Sequence, residues 1–264
     1  MGSKLLLVGC GKMGQALLGG WLAAGSVQRC LVVEPLAAEL PAGPVERLAD
    51  AGAIPADFVP DAIVLAVKPQ VMADVLPAYR RFAGQALFLS IAAGKTLASF
   101  ETALGAAAIV RAMPNTPAAV GRGITVACAN GRVDAAGRRL AEALLAAVGE
   151  VGWVEQEGLM DAVTAVSGSG PAYVFLLAEV LAAAGIKAGL PADLAQRLAR
   201  VTVAGSGELL HRSVESAEQL RRNVTSPNGT TAAALAVLMA EPGLRELLEK
   251  AVRAATNRSR ELAG

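Results

Sequence analysis

The sequence predicts an α/β protein in two parts, a doubly wound and mostly parallel sheet followed by an all-helical domain. Three observations predict it. Short apolar runs alternate with helix-length stretches from Lys4 to about Glu155, the pattern of strands joined by crossover helices. A glycine loop, Gly9-Cys-Gly-Lys-Met-Gly14, joins the first apolar run to the first helix. From Glu157 onward strand signals stop and helical periodicity runs to the end. The boundary falls at 156/157, giving a dinucleotide-binding part over 1–156 and a helical part over 157–264. No linker rich in Ser, Gly or Pro separates them.

The elements follow in order. Lys4-Leu-Leu-Leu-Val8 is a buried strand and Gln15 to Ala24 a helix. The intervening G-x-G-x-x-G therefore sits in the strand–turn–helix context of a Rossmann-like nucleotide site. The first glycine permits the turn, the second lets a pyrophosphate reach the backbone, and the third lets helix and strand pack closely. Cys30-Leu-Val-Val-Glu34 is the next strand. Glu34 lies 20 positions beyond Gly14, where an acid meets ribose hydroxyls; it reads equally as a solvated charge at a strand end. Ala62 to Val67 is a strand running into Lys68-Pro69, and Pro69 can open a helix. Ala66, Val67, Lys68 and Pro69 then lie at the carboxyl edge of the sheet, where ligands of such sheets bind. Leu87 to Ala92 is a strand ending in the small residues Ala92-Ala93-Gly94, which leave room for a nicotinamide or simply form a turn. Strands at Ala107 to Arg111, Ile124 to Ala127 and Val151 to Val154, with a helix at Ala135 to Val148, complete the first part.

In the second part, Leu244, Leu247, Leu248, Ala251, Val252 and Ala255 trace one apolar helix face. Gly168-Ser-Gly-Pro171 interrupts an apolar helical stretch, because two glycines and a proline each cost helix stability. Either the helix breaks there or the backbone approaches something closely. Asn223-Val-Thr-Ser-Pro-Asn-Gly-Thr-Thr231 lies between two helices. Its Pro-Asn-Gly is turn chemistry, and Thr230 or Thr231 falls where an N-cap belongs. Free N–H groups at such a helix start suit a small anion such as a carboxylate, although a loop of this kind is by itself more often a plain capped turn.

Composition excludes several classes. Apolar residues make up 54% and charged residues 18%, a globular profile, and the net charge is +1 with no basic patch interleaved with aromatics, which argues against nucleic acid. No apolar run is expected to reach membrane-spanning length. No secretory signal is read at the start, so the expected location is the cytoplasm. Cys10, Cys30 and Cys128 match neither a disulfide framework nor a metal spacing, and no metal is expected. The single histidine, His211, is given no role. There is no Ser-His-Asp set and no P-loop. A dinucleotide site with a small-anion site remains, a pairing that suits hydride transfer.

Asn223 to Thr231, Asp161 to Tyr173, Ala66-Val-Lys-Pro69 and Met113-Pro-Asn-Thr-Pro117 together resemble the pyrroline-5-carboxylate reductases, and the resemblance runs from Lys4 to Leu262. It implies reduction of L-1-pyrroline-5-carboxylate to L-proline, the last step of proline biosynthesis, with NADPH or NADH. It implies that Gly9, Cys10, Gly11, Lys12, Met13 and Gly14 bind pyrophosphate, with Glu34 at the ribose. Ala66, Val67, Lys68, Pro69 and Ala93 would line the nicotinamide side. Asn223 and the Gly229-Thr230 backbone would hold the carboxylate, the Thr231 hydroxyl would reach the ring nitrogen as the catalytic contact, and Glu157 would stand on the substrate side. The helical parts of the family interlock into dimers that can form larger rings, with each substrate site near the interface. Glu34 and Ala53 depart from common members, both in the adenosine half. With no Arg immediately beside Glu34 in the chain, NADH is expected to serve at least as well as NADPH. Two rivals stand beside this reading: a β-hydroxyacid-type dehydrogenase, whose catalytic Lys is absent from Ser167-Gly-Ser-Gly170, and a non-catalytic dinucleotide-binding regulatory protein.

Overall fold

The computed structural model describes residues 2–36 and 39–263; Ala37 and Ala38, just after Glu34, lie outside them. The described residues form an eight-stranded sheet in the order β3-β2-β1-β4-β5-β6-β7-β8. The strands are β1 (Ser3–Val8), β2 (Val27–Val33), β3 (Val45–Leu48), β4 (Ala62–Leu65), β5 (Leu87–Ser90), β6 (Ala108–Met113), β7 (Gly123–Ala129) and β8 (Gly149–Trp153). All neighbours are parallel except β6 and β7. Successive side chains of a strand point to opposite faces. Leu6, Val8, Ile63, Leu65 and Phe88 accordingly build the core on one face, while Leu5, Leu7, Val64, Leu87 and Leu89 build it on the other. Burial on both faces is why these strands read as continuous apolar runs.

The first four helices are α1 (Lys12–Ala23), α2 (Met72–Val75), α3 (Leu97–Leu104) and α4 (Ala135–Ala146). Pro69 does open helical structure, but as a 3-10 turn, Pro69–Val71, that leads into the short α2. Parallel neighbours are usually joined by a helix. The β2–β3 connection, residues 34–44, carries none among its described residues. The sequence reading contains no β3, for a physical reason: Val-Glu-Arg-Leu is a four-residue edge strand with two charges, and edge strands carry charge to stay unpaired outward.

The remaining helices are α5 (Met160–Val163), α6 (Gly170–Lys187), α7 (Ala192–Arg212), α8 (Ala217–Asn223), α9 (Thr230–Leu238) and α10 (Leu244–Ala263). Between α5 and α6 lies one π-helical turn, Thr164–Gly168. A Cβ on Gly168 would sit 2.5 Å from Met113 Cε, so this glycine serves close approach, and Pro171 occupies the first turn of α6. One helical stretch, Glu157–Lys187, is long and apolar enough to cross a membrane by length and composition, contrary to the sequence expectation.

The chain divides into two compact units, one running to Gly168 and including the stretch from Ala255, the other Ser169–Ala254. The division at 156/157 read from the sequence marks the end of strand patterning, whereas residues 157–168 keep their contacts within the first unit. In the second unit α6 packs against α7, yet among the described residues only Ala182, Ala195 and Ala199 are buried there.

Candidate active site

In the first unit the strand order reverses between β1 and β4, the switch point where open α/β sheets bind ligands. The three glycines of the loop have three different causes. Gly9 has φ +88, and a Cβ there would lie 2.9 Å from the Ala66 carbonyl oxygen. A Cβ on Gly14 would lie 2.7 Å from the Gly9 carbonyl oxygen. Around Gly11 there is open space, and Gly11 is the N-cap of α1 with no side chain closing the helix end. The first-turn N–H groups of α1 are thus left for an anion, with the positive end of the helix dipole behind them. The residues fit a pyrophosphate.

A cleft of ≈ 670 Å³ continues from this loop. Gly9, Gly11, Glu34, Ala66, Val67 and Lys68 line it, and so do Leu36, Asp50, Ala51, Val75 and Tyr79. Its walls are mainly apolar, as an adenosine half requires. Cys10 is buried within the loop, Lys12 and Met13 open α1 and Pro69 opens the 3-10 turn, and none of these four lines the cleft. Ala93 is exposed one strand further on, beyond the carboxyl end of β5.

Glu34 is tied to the glycine loop. Its Oε2 accepts the Cys10 N–H at 2.8 Å and its Oε1 accepts the Leu36 N–H at 3.1 Å. No Arg neighbours Glu34 in the chain, but β3 brings Arg47 alongside the β2 end. Arg47 Nη1 donates to the Glu34 and Leu36 carbonyls at 2.9 and 3.1 Å, so this guanidinium holds the loop backbone. Asp50, also at the cleft, caps the turn Ala51–Ala53 by accepting the Gly52 and Ala53 N–H groups. Burial raises the Cys10 thiol pKa, and the Glu34 charge adds to the shift.

Glu157 belongs to the first unit and is engaged there. Its Oε1 accepts from Arg111 Nη1 and from the Leu97 N–H, both at 2.8 Å. No sequence signal singles out Arg111, which is 4% exposed at the end of β6. An arginine in a strand-like run looks like a surface residue until its partner is known.

In the second unit the loop after α8 makes a tight turn. Asn228 takes a left-handed φ of +58, the Gly229 N–H donates to the Ser226 carbonyl at 3.1 Å, and the Thr225 hydroxyl donates to the Arg221 carbonyl at 2.6 Å. Gly229 has an ordinary φ of −82; a Cβ there would collide with Ser226 Oγ. The expected threonine cap is corrected: Gly229 is the N-cap of α9, and Thr230 and Thr231 are its first two residues. Thr230 is exposed and Thr231 half-buried, with no side chain capping the helix. The Asn223 amide is held locally, accepting from Gln219 Nε2 at 2.7 Å and donating to Glu215 Oε2 at 3.0 Å. Among the described residues no group of three or more His, Cys, Asp or Glu is placed to hold a metal ion.

The fold and the glycine cradle define a dinucleotide-binding oxidoreductase of Rossmann type with a helical C-terminal region. Residues 157–262 match the family model described as pyrroline-5-carboxylate reductase dimerisation, and residues 4–94 match one described as NADP oxidoreductase, coenzyme F420-dependent. A pyrroline-5-carboxylate reductase of Pseudomonas aeruginosa is 42% identical over 98% of this chain and 97% of its own. Among solved structures, a pyrroline-5-carboxylate reductase from Coxiella burnetii matches with a TM-score of 0.90 and 36% identity, covering 100% of both chains. The Plasmodium falciparum pyrroline carboxylate reductase with NADP bound matches with 0.84 and 31%, covering 99% and 98%. The chain belongs to the pyrroline-5-carboxylate reductase family.

Proposed function

We propose that this protein reduces the C=N bond of L-1-pyrroline-5-carboxylate to give L-proline, the last step of proline biosynthesis. The observation that carries the reading is the glycine cradle at the start of α1 in the first unit, which no side chain closes; the second unit by itself supplies a like helix start, α9 behind the Asn228-Gly229 turn. When bound, NADH or NADPH supplies the hydride. The first-turn N–H groups of α1 hold its pyrophosphate. The Glu34 carboxylate meets the ribose, and Ala66 to Pro69 with Ala93 shape the nicotinamide side. The Gly229 N–H closes the turn on Ser226, so the backbone N–H at Thr230, with the Asn223 amide, holds the substrate carboxylate. The Thr231 hydroxyl lies one residue on and reaches the ring nitrogen. A protonated imine is already electrophilic, so the protein contributes position more than acid–base strength.

Assembly follows from the second unit. Phe175, Leu176, Val201, Val237 and Met239 are all more than half exposed in it. Apolar surface on that scale marks an interface, and the matched dimerisation region covers it, so we read a homo-oligomer of at least two chains. The same surface accounts for the membrane-like composition of Glu157–Lys187.

The decisive experiment is NAD(P)H oxidation with pyrroline-5-carboxylate against a panel of β-hydroxyacids run in reverse. Turnover confined to the imine supports the reading, and turnover confined to hydroxyacids replaces it with the dehydrogenase rival.

A further inference from the structure

The loop between β5 and α3, residues 91–96, carries Ala93, one of the residues assigned to the nicotinamide side. It is held from two sides by residues remote in sequence. At its far end the Leu97 N–H, the first of α3, donates to Glu157 Oε1 at 2.8 Å. The same oxygen takes Arg111 at 2.8 Å, and the two side chains are only 27% and 5% exposed. In its middle, Gly94 adopts φ +69 and lies against Leu262 of α10: a Cβ there would stand 3.3 Å from the Leu262 carbonyl oxygen. The α10 end is itself pinned where the Ser259 hydroxyl donates to Asp161 Oδ1 at 2.7 Å. Between these anchors Ala92 and Gly94 are buried and Ala93 alone is turned out.

A buried charge needs its partner and a fixed geometry. Here that requirement is met by using one carboxylate oxygen to join the β6 end, the α3 start and the segment leading into α5. We propose that Arg111 and Glu157 are positioning residues for hydride transfer, fixing the 91–96 loop and hence the surface at Ala93 on which the nicotinamide rests. Glu157 on this account does not touch substrate. The inference rests on the reductase reading only for the identity of the acceptor.

The test compares NADH with ADP-ribose, which lacks the nicotinamide. Glu157→Ala is expected to lower kcat roughly ten- to a hundred-fold, the scale of a small misplacement of reacting groups. NADH affinity should weaken while ADP-ribose affinity stays at its wild-type value. Glu157→Gln keeps an oxygen acceptor for the Leu97 N–H and should recover most of kcat. If Glu157→Ala fails to fold around an unpaired Arg111, the double variant Arg111→Met with Glu157→Met removes both charges, and the same two ligands are read. Equal loss of NADH and ADP-ribose binding would reduce the pair to a general fold clamp and overturn the proposal. A raised KM for pyrroline-5-carboxylate with NADH binding and kcat intact would overturn it in favour of direct substrate contact. Wild-type protein inert toward pyrroline-5-carboxylate would remove the reductase reading, while the NADH and ADP-ribose comparison would still decide the positioning role.

Discussion

Thr231 carries the sharpest prediction at the scale of single residues. Because Gly229 is the N-cap, the Thr231 hydroxyl is not the group that closes α9. Thr231→Ala is therefore expected to cost roughly 1.5–3 kcal/mol of transition-state stabilisation, the worth of a hydrogen bond to a charged group. That is about ten- to a hundred-fold in kcat/KM, with the Kd for NADH and the Tm unchanged; a lowered Tm with normal turnover would contradict it. Glu34 carries the second. With its carboxylate at the loop and Asp50 nearby, and with Arg47 Nη1 donating to backbone carbonyls, a 2′-phosphate at the β2 end meets two acids. NADH should match or exceed NADPH in kcat/KM, and Glu34→Ser should move the ratio toward NADPH. The cysteines carry the third. Burial pushes the Cys30 thiol from its ordinary 9.0 up to about 12, and raises Cys10 and Cys128. All three should resist iodoacetamide at neutral pH. A thiol whose pKa is raised by folding gives stability that is complete below its unfolded value and lost as pH climbs through the folded one. Stability should accordingly fall between pH 9.0 and about 12, and Cys30→Ala should flatten that fall in alkaline melts. The glycine loop and Glu34, both at the cleft, were legible because spacing carries them, whereas Thr231 was legible only through the family resemblance. Arg47 and Arg111 were not, since their meaning lies in partners that only strand pairing and a remote carboxylate supply.

Helices and strands were legible to different degrees. Strands buried on both faces announced themselves, as did α1, α4 and the apolar face of α10. Among the unannounced elements, which include α3, β3 has no long apolar run and no helix leading into it. The π-turn before α6 was half legible: Gly168-Ser-Gly-Pro171 showed that regular helix could not continue, but only Met113 against Gly168 explains where it gives way. Element ends also respond predictably. Asp134 Oδ1 accepts the Gly137 N–H at 2.7 Å and caps α4. Asp134→Ala should cost about 1 kcal/mol, roughly 2–4 °C in Tm, with cofactor binding untouched because α4 contributes no residue to the cleft; calorimetry and NADH titration check both halves.

For the whole molecule, the two-part architecture was legible, whereas the compact units were not, because a change in periodicity at 156/157 does not say which residues then pack together. The assembly prediction belongs at this scale. Light scattering should give at least twice the mass of one chain, and Phe175→Glu, at a residue 66% exposed on α6, should lower it. The second unit buries three alanines and little else, which makes dilution a form of denaturation. Association that only the folded chain can make adds stability by mass action, so this region should have no fixed melting point. Its Tm should climb with each increase in protein concentration while the sheet-centred unit, with its own two cores, should keep a Tm indifferent to it.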